Sequence, residues 1–309
     1  MKIDDIHKAF VHNWAVFIIC IFTFFVSRLS AGGGDWSAPA LWITALIQVG
    51  IALSLLLWNN TFSIIHRRTL LPALFYLLFA GCSPIFNFDW KSSLAVLLVI
   101  VNYLFLFQSY HKPDSQLNAL NISLVLVLGS FLRPQMLLFF PLFWCGFFRF
   151  RSFNLRVFLA SLTGIFALVL CIWIIYLNDR LAFPFVLPQP EEIFHISKPV
   201  LTVYEWINLA TVLSIYIFAG YKLYTFDVSE KIRTIIYLKY LYFSTFFMLF
   251  MALSQPEYRS FWELTAYLPI SIVFAHYFTL TGKLPVKILM LLFMIAQLLW
   301  GFFGGVSLE

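Results

Sequence analysis

The stretch at residues 178–206, NDRLAFPFVLPQPEEIFHISKPVLTVYEW, divides the chain into two parts. It holds four prolines and four acidic residues, and its polarity excludes it from the hydrocarbon core of a bilayer. About seven apolar segments precede this stretch and about four follow it. The arrangement predicts one long polar loop between two groups of membrane-embedded helices.

The composition of the whole chain is that of a membrane protein. Hydrophobic residues make up 62% of the 309 residues, charged residues make up 11%, and the mean hydropathy is +0.90. Soluble domains are about half apolar and about a quarter charged. Many of the apolar runs approach the ~20 residues that a helix needs to cross a bilayer. The sequence therefore predicts an all-α polytopic transmembrane helix bundle.

Eleven apolar segments give the bundle about 11 spans. They lie near residues 14–30, 40–58, 69–86, 93–110, 119–132, 136–148, 155–177, 207–226, 235–254, 263–281 and 287–305. Residues 1–13 mix polar and apolar side chains, with Ile3, Ile6 and Phe10 at helical spacing. They predict an interfacial amphipathic segment ahead of a single transmembrane bundle at 14–309. Pro72, Pro141 and Pro269 lie inside apolar runs, where they predict helix kinks.

Two of these segments are short for spans. Residues 119–132 and 136–148 are separated only by Arg133-Pro134-Gln135. They form either two short tilted helices that cross the membrane or a re-entrant hairpin that enters and leaves by one face. Both alternatives return the chain to the same side, so the sidedness of the other segments does not depend on the choice.

The basic residues predict the orientation of the chain. With the N-terminus in the cytoplasm, thirteen Lys and Arg residues fall in cytoplasmic segments and six in outer segments. An excess of Lys and Arg in cytoplasmic loops is the rule for membrane proteins. We therefore expect a cytoplasmic N-terminus and an extracytoplasmic loop at 178–206. This explanation also accounts for the net charge of +6, so we expect no nucleic-acid partner.

The outer loops bring charged side chains to one side of the predicted membrane. Charges next to apolar spans are costly unless they are paired or functional. The candidate catalytic residue is Asp35, and the candidate substrate-binding residues are Arg28, Asp89, Arg133, Glu257 and Arg259. Arginine binds phosphate with two parallel hydrogen bonds, and a carboxylate can act as a general base. We expect no metal and no cofactor, because the four cysteines lie singly in apolar runs.

Polar residues inside the spans suggest contacts between helices. Gln48, Asn102, Asn121 and Gln297 are expected to hydrogen-bond across helices. No acidic residue lies in the middle of a span, whereas ion-coupled transporters carry acids near the midplane. This absence argues against an ion-coupled pump.

Two resemblances bear on function. The runs SQPEYRSFWELTAYLPISIVFAHYF and LGSFLRPQMLLFFPLFWCGFFRFRSF resemble an uncharacterised family of Phe-rich polytopic bacterial inner-membrane proteins. The many spans and the acidic residue Asp35 in the first outer loop are similar, more weakly, to membrane glycosyltransferases that use polyprenyl-phosphate sugars. In those enzymes the first outer loop is longer and carries an acidic pair, whereas here it is short and carries one acid.

The first resemblance implies a location in the bacterial inner membrane but no mechanism, because that family has no assigned activity. Three alternative functions are open. The first is transfer or polymerisation of a lipid-linked sugar at the extracytoplasmic face, with a polyprenyl-phosphate-linked substrate. The second is a non-catalytic subunit or scaffold in an envelope assembly, with membrane proteins as partners. The third is a transporter or flippase for a lipid substrate. Membrane lipids are partners in all three.

Overall fold

The computed structural model describes residues 39–65, 69–81, 89–177, 203–225, 231–280 and 284–303, together with Ile21 and Phe86. The predictions for the interfacial segment 1–13, for the apolar segment 14–30 and for the loop up to residue 202 lie outside the described residues. The last four residues of the predicted loop are already helical, because the helix that follows begins at Val203.

The described residues form ten α-helices and two short 3-10 turns, with no strand among them. The α-helices are α1 (Pro39–Phe62), α2 (Leu71–Gly81), α3 (Trp90–Gln108), α4 (Gln116–Ser130), α5 (Phe139–Arg149), α6 (Leu155–Leu177), α7 (Val203–Thr225), α8 (Ile232–Ser254), α9 (Arg259–Leu280) and α10 (Leu284–Phe303). The 3-10 turns are Pro134–Leu138 and Pro256–Tyr258. The predicted all-α class is confirmed for this part of the chain.

Each of the ten apolar segments that follow residue 38 overlaps one of these helices. By length and composition, α1, α3 and α8 are able to cross a membrane. Several other helices are apolar over shorter stretches, among them α2 and α4. Long apolar helices and shorter apolar helices are both expected in a membrane protein. The number of spans and the side of the N-terminus stay predictions.

The prolines in the apolar runs do not all act as predicted. Pro72 and Pro141 lie in the first turns of α2 and α5, where a proline is tolerated because the amide has no intrahelical partner. Kinks at these two positions were wrong predictions. Of the three, only Pro269 lies beyond the first turn, in the interior of α9.

The segment 119–148 forms two separate helices, α4 and α5. Arg133 has an extended backbone, because the residue before a proline is disfavoured in the α region, and Pro134 then begins the 3-10 turn. α4 has 15 residues and α5 has 11, so both are shorter than a full span. The short lengths fit both the tilted pair and the re-entrant hairpin.

Contacts between residues divide the chain into two compact units. The first unit is Met1–Ser93 with Lys198–Glu309, and the second is Leu94–Ser197. In the first unit the core is built around α9 and α2. Residues 260–279 of α9 and 71–80 of α2 are all buried. A helix that is buried on every side lies in the interior of its unit.

Aromatic rings fill the centre of the first unit around Phe274 of α9. Its ring centroid lies 5.8 Å from that of Phe75, 5.9 Å from Phe79, 5.6 Å from Phe293 and 6.1 Å from Tyr216. These rings come from α2, α7 and α10, so one side chain contacts three other helices. Edge-to-face and tilted ring pairs of this kind contribute about 0.5–1.5 kcal/mol each beyond their burial.

Polar side chains also connect helices in the first unit. Gln297 of α10 donates to Asn208 Oδ1 of α7 at 2.9 Å, and Gln48 of α1 donates to Ser93 Oγ at the start of α3 at 3.3 Å. The predicted role of Gln48 and Gln297 in helix–helix hydrogen bonds is confirmed. For Asn102 the prediction was wrong, because both polar atoms of its side chain are buried without a hydrogen-bond partner among the described residues. The sequence did not single out the Tyr216 hydroxyl of α7, which donates to Thr245 Oγ1 of α8 at 2.8 Å.

The second unit is organised by the packing of α6 on α4. Gly164 of α6 faces Ser123 and the Leu120 backbone oxygen of α4, and a Cβ at Gly164 would collide with the Ser123 hydroxyl. Small residues allow two helix backbones to approach closely, which is how helices associate in a membrane. The Trp144 indole of α5 donates to Ser161 Oγ of α6 at 3.1 Å and connects a third helix to the pair.

Candidate functional site

Ionisable and hydroxyl side chains come together at the start of α9 in the first unit. The sequence Gln255-Pro256 ends α8, because the residue before a proline is disfavoured in the α region. The Gln255 amide donates to Met251 O at 2.9 Å, and its backbone leaves the helical region. The 3-10 turn Pro256–Tyr258 then reverses the chain, and α9 begins at Arg259.

Asp89 links this turn to the beginning of α3. Its Oδ1 accepts the Ser92 backbone amide at 3.0 Å, so the carboxylate caps the N-terminus of α3. Its Oδ2 accepts the Ser260 hydroxyl of α9 at 2.6 Å. A carboxylate at a helix N-terminus is stabilised by the helix dipole and by the free amides of the first turn. One side chain therefore positions the starts of two helices.

Arg259 and Glu263 form an ion pair one turn apart on α9. The Arg259 Nε lies 2.5 Å from Glu263 Oε1, and the two side chains are 12% and 7% exposed. Removing one partner of a buried pair leaves an uncompensated charge, at a cost of about 3–5 kcal/mol. The pair therefore holds the guanidinium in one position at the start of α9. We call Asp89, Ser260, Arg259 and Glu263 the α9 polar cluster.

Neighbouring residues hold the turn before α9 in place and add two exposed side chains next to the cluster. The buried Trp262 indole donates to Gln255 Oε1 at 2.9 Å and fixes the turn against α9. Trp90, which follows Asp89, is 38% exposed, and the Glu257 side chain is exposed. Glu257 and Trp90 thus add an exposed carboxylate and an exposed aromatic surface next to the buried charges.

The structure brings three of the six predicted site residues into this region. Asp89 and Arg259 belong to the cluster, and Glu257 lies in the adjoining turn. Arg133 belongs to the second unit, where its amide donates to Gly129 O and its carbonyl accepts from Met136. Arg28 and Asp35 lie outside the described residues, so the predicted groove around Asp35 stays a prediction.

Sequence reasoning missed the hydroxyl and amide partners of the charged residues. Ser260 and Ser92 are ordinary residues in the sequence, and their hydrogen bonds depend on where α3 and α9 meet. One signal was available: an Asp placed directly before an apolar run is typical of a helix N-cap. Only the capping role of Asp89 could have been read from it.

The described residues contain no group of three or more His, Cys, Asp or Glu side chains placed to hold a metal ion. The α9 polar cluster can accept hydrogen bonds from hydroxyls through its carboxylates. Its guanidinium can bind a phosphate oxygen. The cluster combines an anion-binding group with acceptors for a polyhydroxyl ligand.

Comparison with known proteins adds no relative. No family model matches the chain, and no curated protein and no solved structure matches it. The two resemblances described from sequence runs therefore stay predictions.

Proposed function

We propose that this membrane protein transfers or polymerises a lipid-linked sugar at the extracytoplasmic face of the bacterial inner membrane. The observation that carries the proposal is the α9 polar cluster, which places Asp89, Arg259 and Glu263 at the start of a helix that is otherwise buried among apolar residues. Charged groups beside apolar helices are costly, and function is the usual reason to retain them.

Each part of a polyprenyl-phosphate sugar has a suited partner in this region. Arg259 binds the phosphate, because a guanidinium makes bidentate, charge-assisted hydrogen bonds with phosphate oxygens. Asp89 and Glu257 accept hydrogen bonds from sugar hydroxyls, and the exposed face of Trp90 stacks on the sugar ring. Asp35 is the proposed catalytic base that removes the proton from the attacking hydroxyl.

The decisive experiment compares Asp89→Asn with Asp114→Asn in a glycosyl-transfer assay on the purified, full-length protein with a polyprenyl-phosphate sugar. Asn at position 89 keeps one oxygen that can accept the Ser92 amide, and its amide nitrogen can donate to the Ser260 hydroxyl, so the local packing is retained while the charge is lost. Asp114 is an exposed acid of the second unit and serves as the matched control. We expect Asp89→Asn to lower transfer and Asp114→Asn to leave it unchanged.

Two further variants test the proposed roles. Asp35→Asn is expected to lower turnover by about 10²–10⁴-fold, the usual contribution of a general base. Arg259→Lys keeps the positive charge but loses the bidentate contact, so it should raise KM for the lipid-linked donor. Transfer at the normal rate in Asp35→Asn and Asp89→Asn protein of normal abundance would refute the proposal.

The second candidate function is a non-catalytic subunit of an envelope assembly. It is favoured by the pairing within the α9 polar cluster, where Glu263 already neutralises Arg259 and two serines already satisfy Asp89. Such a network can hold α3 and α9 together without binding any ligand. In that case Arg259→Lys and Asp89→Asn would change thermal stability and partner retention, and no glycosyl transfer would be detected with any variant.

A further inference from the structure

The two loops at one end of the second unit form a single, fixed surface. The His111 amide, in the loop after α3, donates to Phe150 O, in the loop after α5, at 3.1 Å. The Asn154 side chain donates to Pro113 O at 2.7 Å, and its Oδ1 caps α6 by accepting the Val157 amide at 2.8 Å. These hydrogen bonds join segments about 40 residues apart and hold both loops in one position.

This surface carries four exposed basic side chains, Lys112, Arg149, Arg151 and Arg156, which we call the basic rim. Asp114 is the one acidic residue in the two loops, so the local charge is four minus one, or +3. Within the described ranges, none of the four basic side chains forms an ion pair. The positive charge of the rim is thus available to an external anion.

The stability of the fold gives no reason for two of these charges. Arg156 lies in the first turn of α6, where the helix dipole disfavours a cation. Arg151 has a φ of 55°, a left-handed conformation that favours glycine. A basic residue is retained at both positions although a neutral residue or a glycine would suit the backbone better.

Apolar side chains project from the same surface. Phe148 is 76% exposed, Leu155 is 72% exposed and Leu117 is 69% exposed. The rim also begins directly after α3, one of the helices able to cross a membrane. Basic and apolar side chains mixed at the end of a span match the interface of a bilayer, where the apolar groups enter the acyl region and the cations meet the headgroups.

We propose that the basic rim binds the headgroups of anionic phospholipids. Charge complementarity selects an anion, and the exposed Phe148, Leu155 and Leu117 favour a lipid over a soluble acidic partner, which would leave them in water. The lipid phosphates accept hydrogen bonds from Arg149, Arg151 and Arg156, and the acyl chains cover the apolar side chains. This inference does not depend on the proposed sugar transfer.

The test is native mass spectrometry of the full-length protein in detergent, titrated with phosphatidylglycerol or with phosphatidylcholine of the same acyl chains. The rim variant combines Arg149→Gln with Arg156→Gln. The control variant combines Lys91→Gln with Lys231→Gln, which are exposed basic residues of the first unit and give the same change in net charge. A third variant, Arg151→Gly, removes a rim charge while suiting the backbone.

We expect the wild type and the control variant to retain phosphatidylglycerol in preference to phosphatidylcholine, and the rim variant to lose this preference. Each basic residue near anionic lipid changes affinity about fivefold, so the rim variant, which loses two, should bind about 25-fold more weakly and Arg151→Gly about fivefold more weakly. Added salt should weaken the wild-type preference.

Three outcomes would overturn the proposal. Equal retention of the two lipids by the wild type would exclude recognition of the anionic headgroup. Equal losses in the rim and control variants would make the effect one of net charge alone. Displacement of phosphatidylglycerol by inorganic phosphate at equal concentration would show an anion site that needs no lipid.

Discussion

The helices α9 and α6 have nearly the same length, 22 and 23 residues, and the sequence predicts a membrane span for each. Their surroundings differ. α9 is buried on every side although it carries Glu263, Ser271, His276 and Thr279. α6 is the more apolar helix, yet only Val157, Ser161 and Gly164 are buried among its described side chains, while Phe166, Leu170 and Trp173 are among those exposed.

The difference follows from the nature of the solvent. In a bilayer an apolar side chain is equally well placed against lipid or against protein, whereas a polar one needs a protein partner. The more polar helix therefore lies in the protein interior, and the more apolar helix turns its wide apolar face outward. Hydropathy alone does not decide exposure, because α2 is at least as apolar as α6 and its residues 71–80 are all buried.

The largest expected effect comes from the same truncation made on the two helices. Phe274→Ala on α9 removes a ring that contacts Phe75, Phe79 and Phe293, and it should cost about 3–5 kcal/mol of stability. Phe166→Ala on α6 removes a ring that is 63% exposed, so it should cost less than about 0.5 kcal/mol. Unfolding of the purified protein in mixed micelles measures both. Equal losses would show that α6 is as well packed as α9.

The next prediction concerns the medium that the exposed face of α6 contacts. Leu170→Lys places a charge on this face, where Leu170 is 53% exposed, and it should cost roughly 2.5–3.5 kcal/mol if the face borders lipid. The matched control is Leu117→Lys in the first turn of α4, next to the basic rim, where the lysine can reach the headgroups. The abundance of membrane-inserted protein is the measurement. Normal insertion of Leu170→Lys would mean that α6 borders water.

The smallest effect tests the one packed face of α6. Gly164→Ala brings a Cβ against the Ser123 hydroxyl and within 3.2 Å of the Leu120 backbone oxygen, so α4 and α6 must separate, at a cost of about 1–3 kcal/mol. Gly50→Ala is the control, since no atom lies within 4 Å of the added Cβ and alanine favours the helix by roughly 0.5–1 kcal/mol. Thermal unfolding should move in opposite directions. A neutral Gly164→Ala would place the contact between α4 and α6 elsewhere.

The candidate site shows how far the sequence leads. Asp89, Glu257 and Arg259 are recognisable as charges beside apolar runs, and all three lie at the junction of α3 and α9 or in the adjoining turn. Their partners are not recognisable, because Asp89 and Ser260 are 171 positions apart. Neither Ser260 nor Ser92 stands out in the sequence by itself. Arg259 and Glu263 are one helical turn apart, so their ion pair could have been predicted from spacing once the start of α9 was known.

The sequence by itself determined the class of the fold and the approximate position of every described helix. In lipid the backbone amides and carbonyls must bond within their own segment, so an apolar run of sufficient length has the helix as its stable form. Only the tertiary structure decided which helix is enclosed, which face of α6 is left outward and which loops join to make the basic rim. These depend on the fit of side chains such as Phe274 and Gly164 against distant segments. Hydropathy does not encode that fit, because lipid and protein interior are equally apolar.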